Sequence, residues 1–200
     1  MKIKITSKML KKIDACQGGI DLFESWFGKK AWVQWTPIAQ LMAAVEYDGC
    51  YLNHIVEEGV LPLYSMHGQG LSGVDFSYTD FVGWDFSESD LSRSHIDACE
   101  IKRCDFSRCD LRSVNFTASS IIVCDLVFAD LRGANLMDVD FVGSRLYHAD
   151  LRGCKLHDVR FFGADLRRVR IDESQAMYLP KGWYYEESTG TVRKSSCCDW

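Results

Sequence analysis

Every fifth residue from Leu71 to Ile171 is leucine, phenylalanine or isoleucine, and this period of five restricts the fold more than any other feature of the chain. The residue two places before each of them is small (valine, threonine, serine, cysteine or alanine) from Val74 to Val169, with the exception of Trp84. A period of five fits neither the turn of an α-helix, about 3.6 residues, nor the two-residue alternation of a strand. The pattern is explained if the chain turns every five residues and points one large and one small side chain inward from each short side.

Glycines and aspartates recur at fixed places in this pattern. Six glycines stand two residues after a large apolar residue, where a type II turn requires positive φ: Gly73, Gly83, Gly133, Gly143, Gly153 and Gly163. The residue just before the large one is most often aspartate or asparagine, whose side chain accepts hydrogen bonds from turn amides. We therefore interpret most of these aspartates as structural, and no catalytic carboxylate pair stands out among them.

Three segments carry a family resemblance. Residues 129–133 and 149–153 read Ala-Asp-Leu-Arg-Gly, and residues 134–136 read Ala-Asn-Leu. They resemble the A(D/N)LXX motif of the pentapeptide-repeat family, and the resemblance extends over residues 69–173 without a phase break. It implies a mainly β fold, a right-handed quadrilateral β-solenoid in which four pentapeptides form one coil and 21 repeats give about five coils.

Residues 20 apart should stack in such a solenoid, which predicts two buried columns. One consists of Leu91, Leu111, Leu131 and Leu151, and the other of Phe81, Ile101, Ile121, Phe141 and Phe161. Five of the nine cysteines occupy small inward positions: Cys99, Cys104, Cys109, Cys124 and Cys154. We interpret them as small buried fillers, with redox sensing or metal binding as the alternative. Cys104 and Cys124 should stack, whereas Cys197 and Cys198 are placed on a tail without an assigned role.

The flanking segments lack the period of five. Residues 1–68 predict a small N-terminal α-helical subdomain, with helices near 8–15, 21–27, 37–47 and 51–58, that caps the first coil or binds a partner. Trp84 is expected where this subdomain meets the first coils. Residues 174–200 predict a C-terminal hairpin cap with its turn near 188–190, followed by a tail. Residues 14–23 and the Leu-Pro-x-Gly-Trp sequence at 179–183 resemble the termini of phage-type members of the family.

Several function classes are disfavoured. No phosphate-binding loop, dinucleotide motif or nucleophile elbow occurs, and the five histidines show no metal-ligand spacing. We therefore predict a protein that is not an enzyme and uses no cofactor or metal; an enzyme with its site in the N-terminal subdomain is the least favoured alternative. The chain has no apolar run long enough for a membrane span and no secretory apolar region, which predicts a soluble cytoplasmic protein.

The predicted outer surface offers two candidate sites. Arg112, Arg132 and Arg152 form one ladder, which is either neutralised by neighbouring aspartates or binds an anion or acidic partner. A set of apolar residues shares one face and the adjoining corner: Ile122, Val123, Val127, Phe128, Val142, Tyr147 and Phe162. If exposed, these residues favour partner contact or homodimerisation. The alternative is that a terminal segment of the chain covers them.

Net charge separates two partner hypotheses. The chain carries −5 at neutral pH with a pI near 5.5, which argues against direct nucleic-acid binding. The leading hypothesis is a non-enzymatic protein-binding scaffold that modulates a bacterial host protein; the phage-like termini suggest a phage-encoded inhibitor of host defence. Some members of the family mimic DNA and bind type II topoisomerases such as gyrase, and an acidic patch at Asp85, Glu88 and Asp90 is the candidate surface for that alternative. The arginine ladder and the basic residues near the end of the repeats weigh against it.

Overall fold

The computed structural model describes residues 65–195 in full and, before them, the backbone of two strands. The chain divides into two compact units, Met1–Tyr64 and Ser65–Trp200. In the first unit, β1 (Lys2–Thr6) pairs antiparallel with β2 (Lys30–Gln34). The helical prediction for residues 1–68 did not include this strand pair, and the four predicted helices lie outside the described residues.

Layers of chain 20 residues apart build the second unit. Parallel β-bridges run from the Gly70–Asp90 pair to the Asp150–Arg170 pair, each joining residues 20 apart. On one side the bridges widen into a parallel sheet of three short strands: β3 (Phe81–Val82), β4 (Glu100–Lys102) and β5 (Ser120–Ile122). A residue therefore lies directly over the residue one layer before it, which is the arrangement of a β-solenoid.

The turns share one backbone conformation. The second residue after each large apolar residue has positive φ at every repeat from Gly68 to Arg168, and 14 of these residues are not glycine. The six repeat glycines predicted at this position all adopt it. Because a side chain in this region costs roughly 1–2 kcal/mol, the surrounding hydrogen bonds and packing hold these 14 residues in a conformation that they do not favour alone.

The buried positions follow the period of five as predicted. Every large residue from Leu71 to Ile171 is buried, none more than 8% exposed. The pattern begins one repeat earlier than the predicted boundary, since Met66 is 1% exposed and Gly68 has the turn conformation. Trp84 is buried and stacks on Phe86 with ring centroids 5.6 Å apart; its predicted contact with the N-terminal subdomain involves residues outside the described range.

Serine and cysteine at the small positions form one recurrent hydrogen bond. Ser94 Oγ donates to the carbonyl of Leu71 at 2.8 Å, and Cys109 Sγ donates to the carbonyl of Phe86 at 2.8 Å, in each case 23 residues earlier. All five cysteines at these positions are buried and free, as expected for small fillers. Burial raises the pKa of Cys99, Cys109 and Cys154 to about 12, so these thiols are protonated and unreactive at neutral pH.

Two elements cover part of the last layer. A 3₁₀ helix spans Glu173–Tyr178, and its Gln175 side-chain amide donates to the carbonyls of Leu151 at 3.1 Å and Cys154 at 2.8 Å. Strands β6 (Trp183–Glu186) and β7 (Thr191–Lys194) then form an antiparallel hairpin. Strand β7 pairs with the last layer, where the Val192 amide donates to the Val169 carbonyl at 2.8 Å. In the described part of the chain no helix has the length and apolar character needed to cross a membrane.

Candidate protein-contact surface

Most of the aspartates before the large residues hydrogen-bond within the turns. The Asp110 carboxylate accepts the backbone amide of Arg112 at 3.1 Å. The same bond, from the amide two residues later, is accepted by Asp75, Asp85, Asp90, Asp105, Asn115, Asp125, Asp130, Asn135, Asp150 and Asp165. These aspartate and asparagine side chains therefore accept hydrogen bonds from amides in the turns. This structural role explains why they recur, without a catalytic role.

The three residues of the predicted acidic patch do not lie on one face. Asp85 and Asp90 precede large residues on adjoining sides, and Glu88 occupies the turn between them, with its carboxylate 3.9 Å from His67 Nε2. Burial acts to raise the pKa of Asp85, but hydrogen bonds from Ser65 and Ser87 outweigh it and lower that pKa below its ordinary value. The Asp85 carboxylate is thus held ionised within the layers.

The arginine ladder is neutralised by aspartates. Arg112 binds Asp110 through two bonds, Nε to Oδ1 at 2.8 Å and Nη2 to Oδ2 at 2.6 Å. Arg132 binds Asp130 and Arg152 binds Asp150 with the same geometry. Two donors of each guanidinium already bind a carboxylate. This geometry matches the neutral, solvated stripe rather than an anion site.

The predicted apolar set separates into two groups. Phe162 is 80% exposed on one side of the unit, where Val142 and Ile122 occupy the same position one and two layers earlier, respectively, and are half-buried. Val123, at the adjoining turn, is 58% exposed. Val127, Phe128 and Tyr147 belong to the next side and its corner, so they form a second group.

Rings and guanidinium groups meet at that corner. Phe128 is 48% exposed and stacks on His148 with centroids 4.9 Å apart, and Tyr147 lies edge-on to His148 at 4.4 Å. The Arg108 guanidinium lies 5.4 Å from the Phe128 centroid, and Arg167 lies 5.7 Å from that of Tyr147. We call these five residues the aromatic corner.

Three members of the aromatic corner, Arg108, His148 and Arg167, were not predicted from the sequence. Arg108, Phe128 and His148 are 20 residues apart and therefore stack at the same turn in successive layers. An offset of 20 in the sequence would have indicated this column. Arg108, His148 and Arg167 were not predicted because none of them is apolar.

Two cations, Arg108 of the aromatic corner and Arg168 outside it, lie at the turn that carries Phe128. Within residues 65–195, no carboxylate lies within ion-pairing distance of Arg108 or Arg168, which occupy the same turn as Phe128. In contrast, Arg167 binds Asp165 at 2.7 Å, and Arg145 binds Asp125 at 2.8 Å. The corner therefore joins exposed aromatic surface to unneutralised positive charge.

Two other kinds of site, a metal site and a ligand pocket, have less support in the described residues. Among the described residues, no group of three or more histidine, cysteine, aspartate or glutamate side chains is arranged to hold a metal ion. An open depression of about 510 Å³ is lined by Asp138, Asp158, Val159 and Arg160. It lies at a different corner from the aromatic residues and is open to solvent.

Comparison with known proteins identifies the repeats. A family model for pentapeptide repeats matches eight copies, over residues 71–108, 89–126, 99–138 and 129–168. A search of curated proteins finds no significant match.

Three solved structures resemble part of the chain. A pentapeptide repeat protein from the thylakoid lumen of Arabidopsis thaliana is 25% identical, covers 57% of this chain and 76% of its own, and has a TM-score of 0.44. The protein Rfr23 from the cyanobacterium Cyanothece is 17% identical, with 64% and 96% covered and a TM-score of 0.43. Trypsin-treated QnrB1, a plasmid-mediated fluoroquinolone resistance protein, is 21% identical, with 56% and 82% covered and a TM-score of 0.31. The identification of the repeats rests on the family model rather than on these neighbours.

Proposed function

Since this chain belongs to the pentapeptide-repeat family, we propose that it is a non-enzymatic scaffold that binds a protein partner through the aromatic corner. The observation that carries the proposal is the ring system of exposed Phe128 with half-buried Tyr147 and His148, which lies between two guanidinium groups. Aromatic residues and arginine are enriched at the energetically dominant positions of protein interfaces. Contiguous exposed apolar surface on a soluble protein often marks an interaction site.

Backbone conformation gives a second argument for an exposed contact surface. Gly83, Gly143 and Gly163 occupy one turn in three layers, where glycine adopts positive φ at little cost. Arg103 and Val123 take the same turn in the two layers between Gly83 and Gly143, and Val123 has φ of 55° and is 58% exposed. An exposed β-branched residue in this conformation costs stability and gains little burial, so a contact with another molecule accounts for it better than the fold does.

A rigid support favours binding by such a surface. The layers beneath the aromatic corner are joined by backbone hydrogen bonds, such as Phe128 N to Tyr147 O at 3.1 Å and Arg108 N to Val127 O at 2.9 Å. A preorganised surface loses little conformational entropy on binding. As part of the proposal, we infer a closed, right-handed quadrilateral solenoid of about five coils, about 25 Å long at ~4.8 Å per layer.

The biological setting is a further part of the proposal. We place the partner among bacterial host proteins in the cytoplasm, with the chain as a phage-encoded inhibitor of host defence. The support is the resemblance of residues 14–23 and 179–183 to phage-type termini.

The side that carries Ile122, Val142 and Phe162 is the proposed contact for a homodimer. Light scattering should then show a dimeric mass for the wild type and a monomeric mass for Ile122→Asp. An unchanged dimer mass for the variant would reject that contact.

DNA mimicry with gyrase as the partner is the second candidate. One observation favours it: Asp85, Asp105 and Asp125 repeat at one position in three successive layers. Ion pairs weaken the acidic surface, because Arg145 binds Asp125 and the arginine ladder neutralises the adjoining side. A supercoiling assay separates the candidates: a DNA mimic inhibits or protects gyrase in a salt-dependent manner, and substitution of Asp85, Glu88 and Asp90 abolishes the effect.

Affinity enrichment from a bacterial lysate tests the main proposal. The wild-type chain, Phe128→Asp and Ala118→Asp are used as baits, with captured proteins quantified by mass spectrometry. Ala118 has the same turn conformation as Phe128 and is exposed at a different corner, so it is the matched control. We expect at least one protein to be captured by the wild type and by Ala118→Asp and lost with Phe128→Asp. Equal capture by all three baits would reject the aromatic corner as the contact.

A further inference from the structure

We propose that the aromatic corner recognises an extended acidic segment of its partner, in which two carboxylates four residues apart flank an apolar side chain. This inference rests on the proposed function and specifies the chemistry of the partner. It follows from the order of side chains along one column of turns: Arg108, Phe128, His148 and Arg168.

Charge is placed at the two ends of this column. Arg108 and Arg168 are exposed, and neither has a carboxylate within ion-pairing distance in the described range 65–195. The stacked rings of Phe128 and His148 lie between them. A partner that neutralises both arginines must carry negative charge at two separated points, with apolar surface between the points.

The length of the column sets the spacing of those charges. Arg108 and Arg168 are three layers apart, which is about 14 Å at ~4.8 Å per layer. An extended chain rises ~3.4 Å per residue and directs alternate side chains to one side. Residues four apart then lie on one side at about 14 Å, and the residue midway between them faces the rings of Phe128 and His148.

The same features disfavour a single-stranded nucleic acid. Its affinity depends on the number of phosphates that cations neutralise, and the column offers two guanidinium groups without an ion pair among residues 65–195. Asp105 lies on the side next to the column, Asp125 one layer on is already paired with Arg145, and the whole chain carries −5. A polyanion with one charge per nucleotide is repelled there, whereas a segment with two carboxylates is accommodated.

Selection from a displayed library of random twelve-residue peptides tests the inference with the full chain as bait. The parallel baits are the double variant Arg108→Glu with Arg168→Glu, the variant Phe128→Ala, and a control, Arg93→Glu with Lys155→Glu. The control reverses two exposed cations elsewhere on the repeats. A thermal melt by circular dichroism verifies that each bait is folded.

We expect wild type and control to enrich peptides with aspartate or glutamate four residues apart around an apolar residue. Fluorescence polarisation with the best such peptide should show that the double variant Arg108→Glu with Arg168→Glu binds it about tenfold or more weakly than the wild type. In the library selection, the double variant should instead enrich peptides with lysine or arginine at the same spacing. Acidic peptides that bind the double reversal as well as the wild type would overturn the inference. Tighter binding of a fifteen-residue oligothymidylate than of any selected peptide would also overturn it.

The outcomes separate the two proposals. Peptides that depend on Phe128 but lack paired carboxylates would overturn the acidic-segment inference and leave the aromatic corner as a contact surface. If no selected peptide depends on Phe128 and the lysate captures are equal for all baits, both proposals fail.

Discussion

Each turn of the repeats has a residue with positive φ, whichever side chain stands there. Gly153 has φ of 72°, and a Cβ built on it would lie 3.6 Å from the Gly133 amide nitrogen, an ordinary contact distance. The cost of a side chain at Gly153 is therefore conformational rather than steric. Gly70 lies at a bridge position without positive φ and has open space around it.

This contrast predicts different effects for two glycine substitutions. Gly153→Ala should lower the free energy of unfolding by about 1 kcal/mol, whereas Gly70→Ala should leave it unchanged or raise it slightly. Urea denaturation of both variants measures the difference. Equal stability of the two variants would contradict the role assigned to the turn conformation.

The Asp-x-Arg pairs predict how stability depends on pH. Hydrogen bonds from Arg112 and Arg167 hold the pKa of Asp110 and Asp165 below the ordinary aspartate value of 3.8. A carboxyl whose pKa is lower in the folded state stabilises the fold above its unfolded pKa, and this contribution is lost as the pH falls through the folded pKa. Stability should therefore be level near neutral pH and decline below about pH 4.

Denaturation of variants at two pH values tests this dependence. The double variant Asp110→Asn with Asp165→Asn should lose less stability between pH 6 and pH 3 than the wild type, because it lacks two of the groups that must be protonated. Asp138→Asn is the control, since Asp138 is exposed and its side chain makes no described hydrogen bond. A double variant that is as acid-sensitive as the wild type would reject the contribution of these pairs.

At the residue scale, the sequence predicted which residues are buried. It predicted only some of the exposed residues that form the aromatic corner. The period of five places one large and one small side chain inward whatever the rest of the chain does, so Leu111 and Cys109 were assigned correctly. Arg108 and His148 were missed because their role comes from residues 20 positions away. A contact between layers has no local sequence signal.

Among the elements, the 3₁₀ helix at Glu173–Tyr178 has a specific role at the end of the repeats. The carbonyls of Leu151 and Cys154 belong to the last layer, and the buried side-chain amide of Gln175 donates to both. The Leu151 carbonyl also accepts the Cys154 amide at 3.1 Å, whereas Gln175 is the only described donor to the Cys154 carbonyl. The same side chain accepts the amide of Asp172 at 2.7 Å. This helix was not predicted from the sequence, because its key bonds reach 21 and 24 residues back.

Loss of these bonds should destabilise the end of the repeats. Gln175→Ala removes a side-chain donor from both carbonyls and leaves the Cys154 carbonyl without a described donor, at an expected cost of about 1–3 kcal/mol. Ser174→Ala, at an exposed position of the same helix, should change stability little. Thermal denaturation compares the two, and hydrogen exchange at residues 151–171 locates the effect. Similar melting temperatures would show that Gln175 does not support the last layer.

At the scale of the whole molecule, one periodic pattern accounts for both the fold and its outer columns. The offset of 20 that buries Leu91, Leu111 and Leu131 together also stacks Arg108, Phe128 and His148 at one corner. The identity of the partner is not encoded in that period, because the outward positions are free to vary without disturbing the buried ones. The function therefore has to be inferred from outward positions that carry exposed apolar side chains instead of polar ones, such as Phe128 and Val123.

Site-specific photo-crosslinking tests the central claim most directly. A benzophenone amino acid is placed at position 128 in one form of the chain and at position 118 in another, and each is irradiated in a bacterial lysate. We predict a discrete adduct from position 128 and none from position 118, because the aromatic corner contacts the partner and the corner of Ala118 does not. An adduct of equal yield from both positions, or from position 118 alone, would contradict the account.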